Sequence, residues 1–199
     1  MKYTLEIGLF IAAAVCSFLG YKTYYRKIQK TSIHPNRWSW LIWSAATLFE
    51  TVTYSNVSDD WYKSIIFYFS SIACIVVTIK IWRHSVWQNP TWTETFTIAA
   101  CVAAPVIWYL YASAWWAHVI LLVALPIAFI PTWMDAWKDY KTENTSAWLL
   151  WASGDVLVIL FIWMRIEEEK EWPYAVMEFV CHGITTGIVA YKKISFKRP

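Results

Sequence analysis

Ser146 to Ile159 reads SAWLLWASGDVLVI, and residues 39–50, SWLIWSAATLFE, read almost the same way. Trp40, Leu41 and Trp43 recur as Trp148, Leu149 and Trp151, each 108 positions later. The basic approach repeats as well: Lys27, Lys30 and Thr31 return as Lys138, Lys141 and Thr142, 111 positions on, so the first copy has a connection three residues longer. A recurrence of this kind is settled before any element is assigned, because it dictates the architecture. A basic segment, a Trp-x-x-Trp pair and an apolar run recurring together point to a duplicated unit.

Composition makes that unit a membrane one. Of 199 residues 58% are hydrophobic and 16% charged. The charges gather in short runs, leaving apolar stretches close to the ~20 residues that cross a bilayer core. Sixteen Trp and twelve Tyr suit belts at two water–lipid boundaries. Trp61, Trp87, Trp92, Trp115, Trp116 and Trp172 fall at expected span ends, as anchors, and His84 and His118 are expected to be interfacial. Cys16, Cys74, Cys101 and Cys181 lie in apolar stretches with neither disulfide nor metal spacing. The apolar run behind Lys2 is read as a retained first helix. Val15 is too large for the position before a lipoprotein-type cysteine, and the run continues to Tyr21.

Seven helical spans are expected, at about 4–21, 38–56, 63–82, 95–112, 115–134, 146–164 and 173–191, because backbone groups in lipid must be satisfied within their own segment. Asp59 and Asp60 lie in a short connection, Pro90 and Pro173 mark helix starts, and Pro105, Pro126 and Pro131 lie inside helices, where proline kinks them. One set of loops and span ends collects Lys22, Arg26, Lys27, Lys30, Arg37, Lys80, Arg83, Lys138, Lys141, Lys192, Lys193, Lys197 and Arg198. The other holds only Lys2, Lys63, Arg165 and Lys170, beside the acidic Glu167, Glu168, Glu169 and Glu171. That asymmetry predicts a multi-pass protein of a bacterial inner membrane, N-terminus outside and C-terminus cytoplasmic. The expected fold class is an all-α membrane protein of seven transmembrane helices, two parallel three-helix repeats joined by a linker helix. The bundles would occupy residues 1–86 and 115–199, with the linker at 87–114.

Ionisable residues inside such spans are costly, about 2.5–3.5 kcal/mol for an Asp at a helix centre, and mark candidate functional positions. Glu178 and His182 lie four apart on one helix and can touch, which suits a proton-coupling pair. The plainer account is that they satisfy each other within the bundle. Trp148, Trp151 and Asp155 form a stripe at helical spacing. An aromatic wall ending in a carboxylate can stack a ring or a cation and orient it, so Trp43, Thr47, Trp151 and Asp155 are the expected substrate-binding residues. Equally, the tryptophans can pack the repeat interface. Glu50, Ser70, Cys74 and Thr185 are expected to line the path, although Glu50 lies near a span end where it can reach water, and hydroxyls also serve helix packing. Ser71, Thr78 and Thr186 belong to the same weakly polar set. No phosphate loop, HExxH or cysteine-pair metal motif occurs, so no cofactor, metal or catalytic residue is expected. Cys181 beside His182 does not make a nucleophile–base pair, since adjacent helical residues diverge. A retinal Schiff base lacks its mid-span lysine.

The chain resembles the SWEET and PQ-loop superfamily, seven-helix proteins of three-plus-one-plus-three design. The resemblance lies in Ile130-Pro131-Thr132, in Trp137-Lys138-Asp139-Tyr140-Lys141-Thr142, and in Ser146-Ala147-Trp148 with Trp151. Thr132 stands where the family has glutamine, and Gly20-Tyr21 stands in the first copy where Pro131-Thr132 stands in the second. The Trp-x-x-Trp spacing followed by Asp155 also resembles the nicotinamide-riboside transporters. The resemblance implies a small-solute transporter, not an enzyme, a facilitator or proton-coupled. It would carry a small polar or ring-bearing metabolite such as a sugar, nucleoside, vitamin or amino acid by alternating access. The alternative is a non-transporting receptor or assembly factor of the same fold. Expected partners are the lipid bilayer and a small-molecule substrate, with a homo-oligomer left open and no nucleic acid.

Overall fold

A computed structural model describes residues 2–30, 33–57, 61–84, 89–165 and 172–196. Among them are seven long helices: α1 (Lys2–Gln29), α2 (Arg37–Val57), α3 (Trp61–His84), α4 (Trp92–Tyr111), α5 (Ala114–Lys138), α6 (Thr145–Met164) and α7 (Trp172–Ser195), with one 3-10 turn (Tyr140–Thr142) before α6. α1, α3, α4, α5 and α6 are long and apolar enough to cross a membrane, and the chain is a helical membrane protein. Their outward residues fit lipid: Ile72, Val102, Val123 and Leu149 are all more than half exposed. α2 and α7 are diluted by polar residues, several of which point inward. Ser39, Glu50, Thr51, Thr53 and Thr185 are all completely buried.

The helix starts follow from side chains that satisfy the first free amides. Asn36 accepts from the amides of Trp38 and Ser39 at α2. Asn144, 108 positions on, caps α6 through the amide of Ala147. Thr91 and Glu94 form a capping box at α4. Pro90 stands just ahead of that box and Pro173 is the second residue of α7, while Pro105, Pro126 and Pro131 lie within α4 and α5 as expected. The turn between α4 and α5 is made by Ala112 in the left-handed region, φ 48°. α1 runs eight residues past its expected end, since basic residues such as Lys22 and Arg26 can reach water from within a helix and do not stop it.

In the packing, α3 lies against both α1 and α2, and α7 against both α5 and α6. The two groups meet where α1 packs on α6 and α2 on α5, while α4 covers α5 and α2. α2 and α3 are joined by hydroxyls: Ser44 to Thr78 at 2.6 Å and Thr51 to Ser71 at 2.8 Å. Ser71 and Thr78 thus serve packing. Asp59, Asp60, Trp87, Lys197, Arg198, Lys170 and the glutamates at 167–169 and 171 lie outside the described residues, as does the side chain of His84.

Candidate functional site

At the centre of the bundle two small cavities adjoin. One, of about 40 Å³, is lined by Tyr21, Trp43, Thr47, Cys74, Glu178 and His182 among others. The second, of about 50 Å³, shares Tyr21, Thr47, Glu178 and His182 with the first and adds Ser17, Ser70 and Asp155. About 10–15 Å³ of such space already holds one water, so each cavity has room for a few waters rather than a metabolite.

His182 on α7 stands between two carboxylates. Its Nδ1 lies 2.7 Å from Asp155 Oδ2 on α6, and its Nε2 lies 3.3 Å from Glu178 Oε2 one turn earlier on α7. All three side chains keep 14–17% of their surface accessible, so they border the void rather than being sealed. Filling both contacts takes two protons: an imidazolium between two carboxylates, or a neutral ring with one protonated carboxyl. Either way the cluster carries one net negative charge, and removing a proton sets a lone pair against a lone pair. The ring also sits in an aromatic box, with centroids 5.4 Å from Trp148, 5.8 Å from Trp151 and 5.8 Å from Phe129. Such faces favour a cationic ring.

The end of the bundle nearest the N-terminus is tied by paired polar side chains. Arg165 Nη1 donates to Glu6 Oε2 at 2.8 Å between α6 and α1. His118 Nδ1 lies 2.7 Å from Glu50 Oε1 between α5 and α2, both fully buried. The lysine-rich end is closed by rings: Trp40, Trp43, Trp148, Trp151, Tyr24 and Phe129 pack with centroids 4.6–6.1 Å apart. Glu143, just before α6, accepts from Tyr24 Oη and from Trp148 Nε1, both at 2.7 Å. Trp40 Nε1 donates to Tyr24 Oη at 3.2 Å.

The expected positions therefore separate. Trp43, Thr47, Trp151, Glu178, His182, Cys74, Ser70 and Asp155 all border the central space. Trp43 and Trp151 do not flank an open slot, however: Trp43 packs on Phe129 at 4.6 Å and the Trp151 face is taken by His182. Their indole Nε1 groups are both buried without a hydrogen-bond partner, that of Trp151 facing Gly20 on α1. Glu50 neither lines these cavities nor reaches water, since His118 holds it within the α2–α5 interface, and His118 itself is a core residue rather than an interfacial one. Thr185 is also off the path, because its hydroxyl accepts from Trp133 Nε1 at 2.8 Å. Sequence reasoning missed Glu143, whose buried position comes from a contact 119 residues away, and Phe129, which looks like any lipid-facing ring. The equivalence of Asn36 and Asn144 was a signal available in the spacing.

No family model matches the sequence, and no curated protein or solved structure matches it.

Proposed function

We propose that this protein is a small-solute transporter of SWEET and PQ-loop type. All seven helices would cross the inner membrane, with the N-terminus outside, and the α1–α3 and α5–α7 bundles would rock against each other about the central polar space. The observation that carries this reading is a buried, charged cluster bordered by water-sized voids and closed by different means at its two ends. Three parallels support a tandem repeat with a twofold along the membrane normal. α3 and α7 hold equivalent places in their bundles, the α1–α6 and α2–α5 contacts are reciprocal, and Asn36 and Asn144 cap α2 and α6. A pseudo-symmetric pair of bundles around a midplane site is a recurrent transporter design.

The cluster favours a ring-bearing or cationic solute whose acceptor meets the Nε1 of Trp43 and whose positive edge meets Asp155. His182 holds the exchangeable proton between Asp155 and Glu178. Counterflow of labelled sugars, nucleosides and amino acids into proteoliposomes tests transport directly. His182→Gln keeps a polar side chain but cannot become a cation, so its uptake is expected to be independent of pH where the wild type varies. An unchanged pH profile removes proton coupling, and no counterflow across the panel removes transport.

One observation favours a static receptor or assembly platform instead: Asp155 and Glu178 are already engaged by His182, with no room for a metabolite between them. Co-elution of a partner protein without any uptake would decide for that reading.

A further inference from the structure

On the flank of α1 turned away from α6, α1 and α3 border a groove of about 520 Å³ with almost wholly apolar walls. Phe18, Phe69, Ile72 and Val76 line it and are 39–61% exposed. Phe18 and Phe69 face each other across it, ring centroids 6.5 Å apart. The end of the groove toward the lysine-rich face is cationic. Lys22 and Arg26 line it, and Lys80 brings its Nζ to 5.5 Å from the ring of Tyr25 in the same wall. No carboxylate lines the groove among the described residues.

A slot of this kind has the shape of a lipid, with hydrocarbon contact along the helices and positive charge at headgroup height. A zwitterionic headgroup would bring its own cation against Lys22, Arg26 and Lys80, whereas an anionic one meets only attraction. We infer that this groove binds an anionic phospholipid, an acyl chain lying along Phe18, Phe69, Ile72 and Val76 and the phosphate held by Lys22, Arg26 and Lys80. Tyr21 borders both this groove and the central cavities, so the lipid lies one side chain from the Asp155–His182–Glu178 cluster. The site needs the membrane and the basic end, not transport, and its test reads binding alone.

Native mass spectrometry of the detergent-purified full chain, titrated with phosphatidylglycerol, phosphatidylcholine or inorganic phosphate, separates the sources. Phosphatidylglycerol is expected to stay bound under conditions that strip phosphatidylcholine, and inorganic phosphate alone is expected not to bind. The triple variant K22Q/R26Q/K80Q is expected to weaken phosphatidylglycerol by about tenfold or more, while K192Q/K193Q, basic residues of the same end outside the groove, leaves it unchanged. Ala73→Trp fills the slot without touching a charge and is expected to lower phosphatidylglycerol retention. Should the triple variant fail to fold, that substitution decides by itself. Equal retention of the two lipids, an equal loss in K192Q/K193Q, binding of phosphate alone, or full retention in Ala73→Trp would each overturn the assignment.

Discussion

Glu143 is a residue whose chemistry sets a measurable pH response. It lies outside the helices, 5% exposed, with both indole and phenol donors on Oε2. Burial pushes its carboxyl up to about 7, against the pull of Tyr24, Trp148 and the Asn144 amide, with a smaller upward push from Asp135. Between the ordinary carboxylate range and pH 7 the folded chain therefore holds a proton that the unfolded chain has lost. Stability from this group is full at low pH, falls as pH rises through that window, and levels off above about 7, a total of roughly 3 kcal/mol. Glu143→Gln keeps a carbonyl acceptor for both donors and removes the titration. Its melting temperature in detergent is expected to vary less between pH 5 and 7.5 than that of the wild type. Glu143→Ala strands two buried donors and is expected to cost about 2 kcal/mol or more at every pH. Parallel melting curves for the wild type and Glu143→Gln would show that some other group carries the response.

Between elements, the tightest constraint is the approach of α1 to α6. A Cβ on Gly20 would sit 2.6 Å from Trp151 Nε1 and 2.8 Å from its Cδ1. Trp151 cannot swing away, being held by Tyr21 at 5.0 Å, Trp148 at 4.9 Å and Tyr24 at 5.5 Å. Gly20→Ala is expected to cost about 1–3 kcal/mol through overpacking and to shift the tryptophan emission. Gly183→Ala, with nothing within 4 Å of the added carbon, is expected to be neutral or slightly stabilising on helix propensity. Equal melting temperatures for the two variants would contradict the packing. This contact also accounts for a glycine at position 20, which makes room for the Trp151 indole. Contacts of this kind mark the limit of what sequence shows. Apolar length located the helices, and helical spacing located Glu178 with His182, because both are properties of one segment. Asp155 with His182, Glu50 with His118 and Glu143 with Tyr24 are meetings between segments far apart in the chain, which periodicity along one helix does not encode. The charges after Tyr21 read as loop, yet α1 continues to Gln29, because long basic side chains reach water from within a helix.

For the whole molecule, the two ends of the bundle are held by unlike forces, so in the proposed transport cycle each end would open separately. The Glu6–Arg165 pair is partly exposed, 8% and 27%, so screening limits it to about 1 kcal/mol or less. The aromatic end is held by ring packing and by Glu143, whose loss costs more. Cys74 reports on both, since it borders the central cavity while being only 3% exposed. In a background where Cys16, Cys101 and Cys181 are replaced by alanine, a membrane-impermeant maleimide reaches Cys74 only when one end parts. Arg165→Gln is expected to raise labelling from the N-terminal side by up to about fivefold, leaving the lysine-rich side unchanged. Glu143→Ala is expected to do the reverse, raising labelling from the lysine-rich side alone. Opposite-sided effects of the two variants are what bundles rocking about a shared centre require, because opening one end leaves the other packed. A Cys74 that stays unreactive from both sides in every variant would mean that the central space never opens, and the static platform would then be the better account of this fold.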